Sequence, residues 1–180
     1  IYAFEVAAKA FKEVSDADDL KRVGRAIEIL ASKTGIYGMI GGQTVDVELA
    51  GGPIPKNKLD FIYRLKTGAL LEASMMIGAV LAGASDEEIR EVETMASEVG
   101  LAFQIQDDIL DVIGDSKELG KATGSDAQNH KQTYVTLHGL EESGREVERL
   151  TGEAVAILDG FSGEHEFLKE LLLHLVHRTK

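Results

Sequence analysis

The residues with the greatest chemical reach lie in one stretch, Gln104-Ile105-Gln106-Asp107-Asp108-Ile109-Leu110-Asp111. On a helix turning about 100° per residue, with Asp107 at zero, Asp111 falls near 40°, Gln104 near 60° and Asp108 near 100°, so all four share one face. Apolar residues, among them Phe103, Ile105, Ile109 and Val112, fill the rest of the circumference, which sets a carboxylate stripe into an otherwise buried helix. Carboxylates one turn apart repel, and in apolar surroundings they must protonate, pair or bind metal. Mg2+ meets that need: it takes hard oxygen ligands, keeps several waters, and shares one or two carboxylates with substrate phosphates. The competing reading is a solvated acidic face, against which the wide apolar flank counts.

Phosphates on a metal call for basic partners. Lys66 and Thr67 fall midway along an apolar helical pattern, where a lysine is out of place unless it points into a polar cavity. Lys121, in Gly120-Lys121, and Lys131, in Lys131-Gln132-Thr133-Tyr134, lie in or just after the loop that follows the aspartates. Each alone reads as a surface lysine; grouped about one acidic helix they read equally as anion ligands. Gln43 and Asp46, three residues apart, form another small polar face, either functional or a buried hydrogen-bonded pair. Several motifs fail. Gly114 to Lys121 is a residue too long for a phosphate-binding loop and follows a helix. No EF-hand glycine turn, Glu-x-x-His or Gly-x-Ser-x-Gly is present.

The elements that must position these residues are helices, because 3.6-residue periodicity runs nearly end to end and strand-like alternation is hard to find. Helices are expected at Ile1 to Val14, from a Ser15 cap to Gly35, Ile36 to Leu49, Lys58 to Ala82, from a Ser85–Glu88 capping box to Ile113, Glu141 to Leu158 and Glu164 to Arg178. Glycines at 38, 41 and 42 imply close backbone packing. Gly51, Gly52, Pro53 and Pro55 make the strongest break, and 115–129 is expected to be a loop. The fold class is all-α, with residues 1–180 in one domain. The 180 residues suffice for a real core. A formal net charge of −12, from 19 basic and 31 acidic residues, opposes binding to nucleic acid or anionic membranes. The absence of cysteine excludes disulfides, thiolate zinc sites and a cysteine nucleophile, and fits a reducing compartment. Gly68 to Ala84, interrupted by Glu72, falls short of the roughly 20 residues of a spanning helix, so no membrane span is expected. Ile1 opens directly into an apolar pattern with no initiator Met, so the chain is expected to be part of a longer one.

Taken together, Gly41-Gly42-Gln43 with Asp46, Lys66-Thr67-Gly68-Ala69-Leu70, Gly100 through Asp111, Gly120-Lys121 and Lys131-Gln132-Thr133-Tyr134 resemble, in order and spacing, the short-chain trans-prenyl diphosphate synthases, bacterial farnesyl diphosphate synthases above all. The resemblance implies the helical bundle of that family around a central cavity, of which this chain is the C-terminal part. It implies that Asp107 helps hold Mg2+ on an allylic diphosphate, with Asp108 and Asp111 in or near that shell and Mn2+ as a substitute. Lys66, Lys121 and Lys131 would contact the diphosphate, while Thr67, Gln104 and Gln43 would bind substrate. The implied reaction joins dimethylallyl or geranyl diphosphate to isopentenyl diphosphate, giving farnesyl diphosphate, with geranylgeranyl diphosphate as the alternative product. Prenyl diphosphates, a homodimer and a cytoplasmic location complete the expectation. The family's first aspartate-rich motif has no counterpart here, which leaves a non-catalytic partner subunit, or a terpene cyclase of similar fold, as competing readings.

Overall fold

The computed structural model of the chain describes residues 1–114 and 132–176, and among these all regular structure is helical. Helix α1, Tyr2–Ala8, passes through a 3-10 turn, Lys9–Lys12, to α2, Ala17–Thr34. The cap of α2 is Asp16, not Ser15: the Asp16 carboxylate accepts from the Asp18 and Asp19 N–H groups at 2.8 and 3.3 Å. Those contacts with backbone donors hold the Asp16 carboxyl below its usual range. Helix α3, Met39–Glu48, starts later than its apolar pattern, after a turn through Gly35 and Gly38. Helix α4, Lys56–Tyr63, begins behind Pro55, and a π-helical turn, Arg64–Gly68, joins it to α5, Ala69–Ala82. Helix α6, Asp86–Ile113, opens with the expected capping box and ends at Gly114. Among the described residues beyond it lie α7, Tyr134–His138, α8, Leu140–Leu158, and α9, Glu166–Val176.

The long helix α6 is the axis of the core. Its Met95, Val99, Ala102 and Ile105 are nearly or wholly buried, packed with Leu59, Ile62 and Tyr63 of α4 and Val147, Leu150 and Ala154 of α8. On its other side α5 separates it from α2. The residues Asn57–Ala82 make a run of 26 that is long and apolar enough, by length and composition, to cross a membrane, longer than the sequence pattern implied because the π-turn does not break it. Within the fold this run lies between α2, α3 and α6, and carries Lys66 and buried Glu72.

Candidate functional site

Two close backbone approaches build the site. A Cβ on Gly100 of α6 would stand 2.9 Å from the Cα of Gly68, so α6 and the π-turn cross glycine to glycine. One turn beyond that crossing, Gln104 Oε1 accepts from the Thr67 hydroxyl at 3.2 Å. A Cβ on Gly42 of α3 would lie 2.4 Å from the Lys66 backbone nitrogen, so α3 is pressed equally close to the same turn. One turn further along α3, Asp46 Oδ2 meets Lys66 Nζ at 2.6 Å. Real Cβ atoms do not tolerate such approaches, so glycine at both positions is required for the turn bearing Lys66 and Thr67 to sit against Gln104 and Asp46. The turn itself is a π-bulge, a distortion that recurs at functional sites because it redirects side chains out of the regular helical register.

The aspartates divide. Asp107 is half-buried, while Asp108 and Asp111 are 5% and 6% exposed. Asp108 is engaged with α4 and α7: its Oδ2 accepts both the Tyr63 hydroxyl, at 2.6 Å, and the Tyr134 N–H, at 2.8 Å. Among the described residues no three carboxylates or imidazoles converge to hold a metal ion. The 100° step from Asp107 directs Asp108 toward α4 and α7, where its Oδ2 is engaged. Asp107 and Asp111, a turn apart on α6, remain a pair of hard oxygen donors of the kind Mg2+ takes, with coordination completed by water and phosphate.

Gln43 is exposed on α3, and Asp46 pairs with Lys66, so the two do not form a buried pair with each other. Lys121 and Lys131 lie outside the described residues. Just after them, Gln132 Oε1 accepts from the Ile54 N–H at 2.5 Å, and Thr133 caps α7 by accepting from the Thr136 N–H at 3.2 Å. Burial, reinforced by Glu146, pushes the Tyr134 phenol above its usual range, so it stays neutral. Tyr63 was not singled out from sequence; the wheel angle of Asp108 was the available signal, since a carboxylate turned that far from Asp107 needs its own donors.

Residues 2–157 match the polyprenyl synthetase family. The farnesyl diphosphate synthase of Escherichia coli K12 is 42% identical over 154 residues, covering 84% of this chain and 50% of that protein. A heterodimeric geranylgeranyl pyrophosphate synthase large subunit of Arabidopsis thaliana is 43% identical over 166 residues, covering 91% and 44%. The crystal structure of a Helicobacter pylori geranyltransferase complexed with magnesium and isoprenyl diphosphate superposes with a TM-score of 0.78 at 33% identity, covering 97% of this chain and 55% of that one. The chain thus spans about half the length of the curated relatives it matches. Its all-helical architecture is that of the isoprenyl diphosphate synthases, and the chain belongs to the polyprenyl synthetase family.

Proposed function

We propose that this chain forms one wall of the active site of a trans-prenyl diphosphate synthase, which condenses dimethylallyl or geranyl diphosphate with isopentenyl diphosphate to give farnesyl diphosphate. The observation that carries the reading is the Thr67–Gln104 hydrogen bond at the glycine crossing, which sets the Lys66 turn within one helical turn of Asp107. Asp107 and Asp111 would hold Mg2+, with Mn2+ as a substitute; the relative complexed with magnesium and isoprenyl diphosphate supports this choice. When bound, the ion supplies positive charge against the negative charge that develops on the departing diphosphate.

The chain's own residues have distinct tasks. Lys66 has a side chain that is 39% exposed and an ammonium oriented by Asp46, and a diphosphate is the stronger competitor for it because it offers several charged oxygens. Lys121 and Lys131 would add charge to the same group. Thr67, Gln104 and Gln43 would orient the allylic substrate. The allylic C–O bond breaks with its electron pair leaving on the diphosphate; the isopentenyl double bond then attacks the allylic cation, and loss of a proton forms the new double bond. Fixed cations favour the first step because they meet charge only as it develops. Apolar surroundings keep water from capturing the cation.

Farnesyl is the proposed product; geranylgeranyl is the second reading, favoured by the plant relative at 43% identity. Residues 1–180 would belong to a single helical domain, in a cytoplasmic homodimer. The test is incorporation of labelled isopentenyl diphosphate with Mg2+ and each allylic diphosphate, by the 180 residues alone and by the longest reading frame that contains them. Incorporation by the longer protein alone is expected. Turnover by the 180 residues would overturn the one-wall reading, and none by either would overturn prenyl transfer; chain length of the labelled product decides between farnesyl and geranylgeranyl.

A further inference from the structure

We infer that Asp108 is a positioning residue, not a metal ligand: it ties the lysine turn and the root of α7 to the aspartate helix. The inference rests on the proposed synthase reading for its consequence in turnover, but its structural basis is independent of it. One oxygen of the Asp108 carboxylate receives two donors from different parts of the chain. The Tyr63 hydroxyl comes from the last residue of α4, directly before the π-turn that holds Lys66 and Thr67. The Tyr134 N–H comes from the first residue of α7, three positions after Lys131. Asp108 itself follows Asp107 on α6. A single buried carboxylate therefore joins the three segments that must act together.

The contacts suit that task. Both hydrogen bonds are buried, where a charge-assisted bond is strong and a lost partner is costly. Tyr63 is 4% exposed and Tyr134 6%, so neither the Tyr63 hydroxyl nor the Tyr134 N–H has ready water as a substitute. The segment at 132–134 is fixed a second time by Gln132, whose side-chain oxygen accepts from the Ile54 N–H before α4. With Asp108 in place, the entry to α7 is pinned at Gln132 and Tyr134, and its register against α6 is defined.

Asp108→Asn separates the two roles, because an amide oxygen can accept both donors but is a poor ligand for Mg2+. Three variants, Asp108→Asn, Asp108→Ala and Tyr63→Phe, are compared in the longest protein carrying the chain. The first measurement is amide exchange at Tyr134 in metal-free protein. Asp108→Ala is expected to speed it about tenfold or more, while Asp108→Asn stays within about threefold of the parent. The second is turnover against Mg2+ concentration. Asp108→Ala and Tyr63→Phe should lower kcat with the half-saturating Mg2+ unchanged within about twofold, whereas Asp108→Asn should lose about threefold or less in kcat. If Asp108→Asn is as damaging as Asp108→Ala and raises half-saturating Mg2+ about tenfold, Asp108 is a ligand and the inference fails. Unchanged Tyr134 exchange in Asp108→Ala also overturns it. Should Asp108→Ala not fold, Asp108→Asn decides alone: half-saturating Mg2+ raised about tenfold overturns the inference, and an unchanged value with Tyr134 exchange within about threefold of the parent supports it. A parent protein that transfers no prenyl group defeats the proposed function alone, since the exchange measurement still decides the positioning role.

Discussion

Two lysine–carboxylate contacts, one at the π-turn before α5 and one midway along α5 and α6, are built differently. At the candidate site, Lys66 and Asp46 pair where two backbones touch, Gly42 on Lys66 and Gly100 on Gly68. Farther along α5, Lys33 of α2 bridges Glu72, 6% exposed, and Glu93 of α6, the latter at 2.6 Å. There no glycine brings two helix backbones together; long side chains span the gap, and Lys33 and Glu93 line a groove of 660 Å3 with Lys21, Arg25 and Asp86. Among the described residues, none of those predicted to bind substrate lines that groove. Long side chains can shift by rotamer changes, but glycine contacts fix the backbone and with it every atom attached. The first region therefore has the construction of a site that must hold position, and the second that of a helix clamp.

The largest effect should come from the charge the first region presents. Asp107→Ala is expected to lower kcat about 1,000-fold, the scale on which loss of a group stabilising transition-state charge is felt. Steady-state kinetics at saturating Mg2+ check it, and near-normal kcat would remove Asp107 from the site. Gly42→Ala comes next. Its methyl must displace the backbone at Lys66, so kcat/KM should fall about 100-fold, as displacements near 1 Å do. The overpacking should cost about 1–3 kcal/mol in urea unfolding. Gly100→Ala, with its 2.9 Å approach to Gly68, should follow in a milder form.

Glu72→Gln is the counterpart in the second region. Lys33 keeps Glu93, so the loss should be about 1–3 kcal/mol of stability, with kcat within about threefold of the parent. If Glu72→Gln impairs turnover as severely as Gly42→Ala at equal folded fraction, the distinction between clamp and site collapses.

Much of this was legible in the sequence, for identifiable reasons. The α6 boundaries follow from local chemistry: Ser85 and Glu88 satisfy each other's backbone groups at one end and Gly114 stops the other. The glycines of the α3 segment announced a close approach, and Gly42 makes it, against Lys66. Thr67 and Gln104, expected in one site, do meet. What periodicity cannot supply is the partner across a gap. Asp108 was grouped with Asp107 and Asp111 because a wheel shows direction on one helix, whereas its donors arrive from Tyr63 and Tyr134, 45 and 26 residues away. Asp46 was paired in sequence with Gln43 for the same reason, and the structure gives it Lys66, 20 residues on. Glu72 looked like a mere interruption of an apolar run; Lys33, 39 residues earlier, is what makes its burial tolerable.

The smallest effect is a pH dependence confined to the clamp. Burial pulls the Lys33 ammonium down, but hydrogen bonds and attraction from Glu72 and Glu93 outweigh it and hold the group above its ordinary 10.5. A cation whose folded value is raised stabilises the fold fully below its unfolded value and loses that contribution as pH climbs through the folded value. The stability difference between the parent and Lys33→Met, taken from urea midpoints, should thus be flat from about pH 7 to 9 and shrink above the ordinary lysine value as Lys33 gives up its proton. A difference that grows over that alkaline range would mean that Glu72 and Glu93 do not dominate the environment of Lys33, and that this ion pair does not hold α2 to α5 and α6.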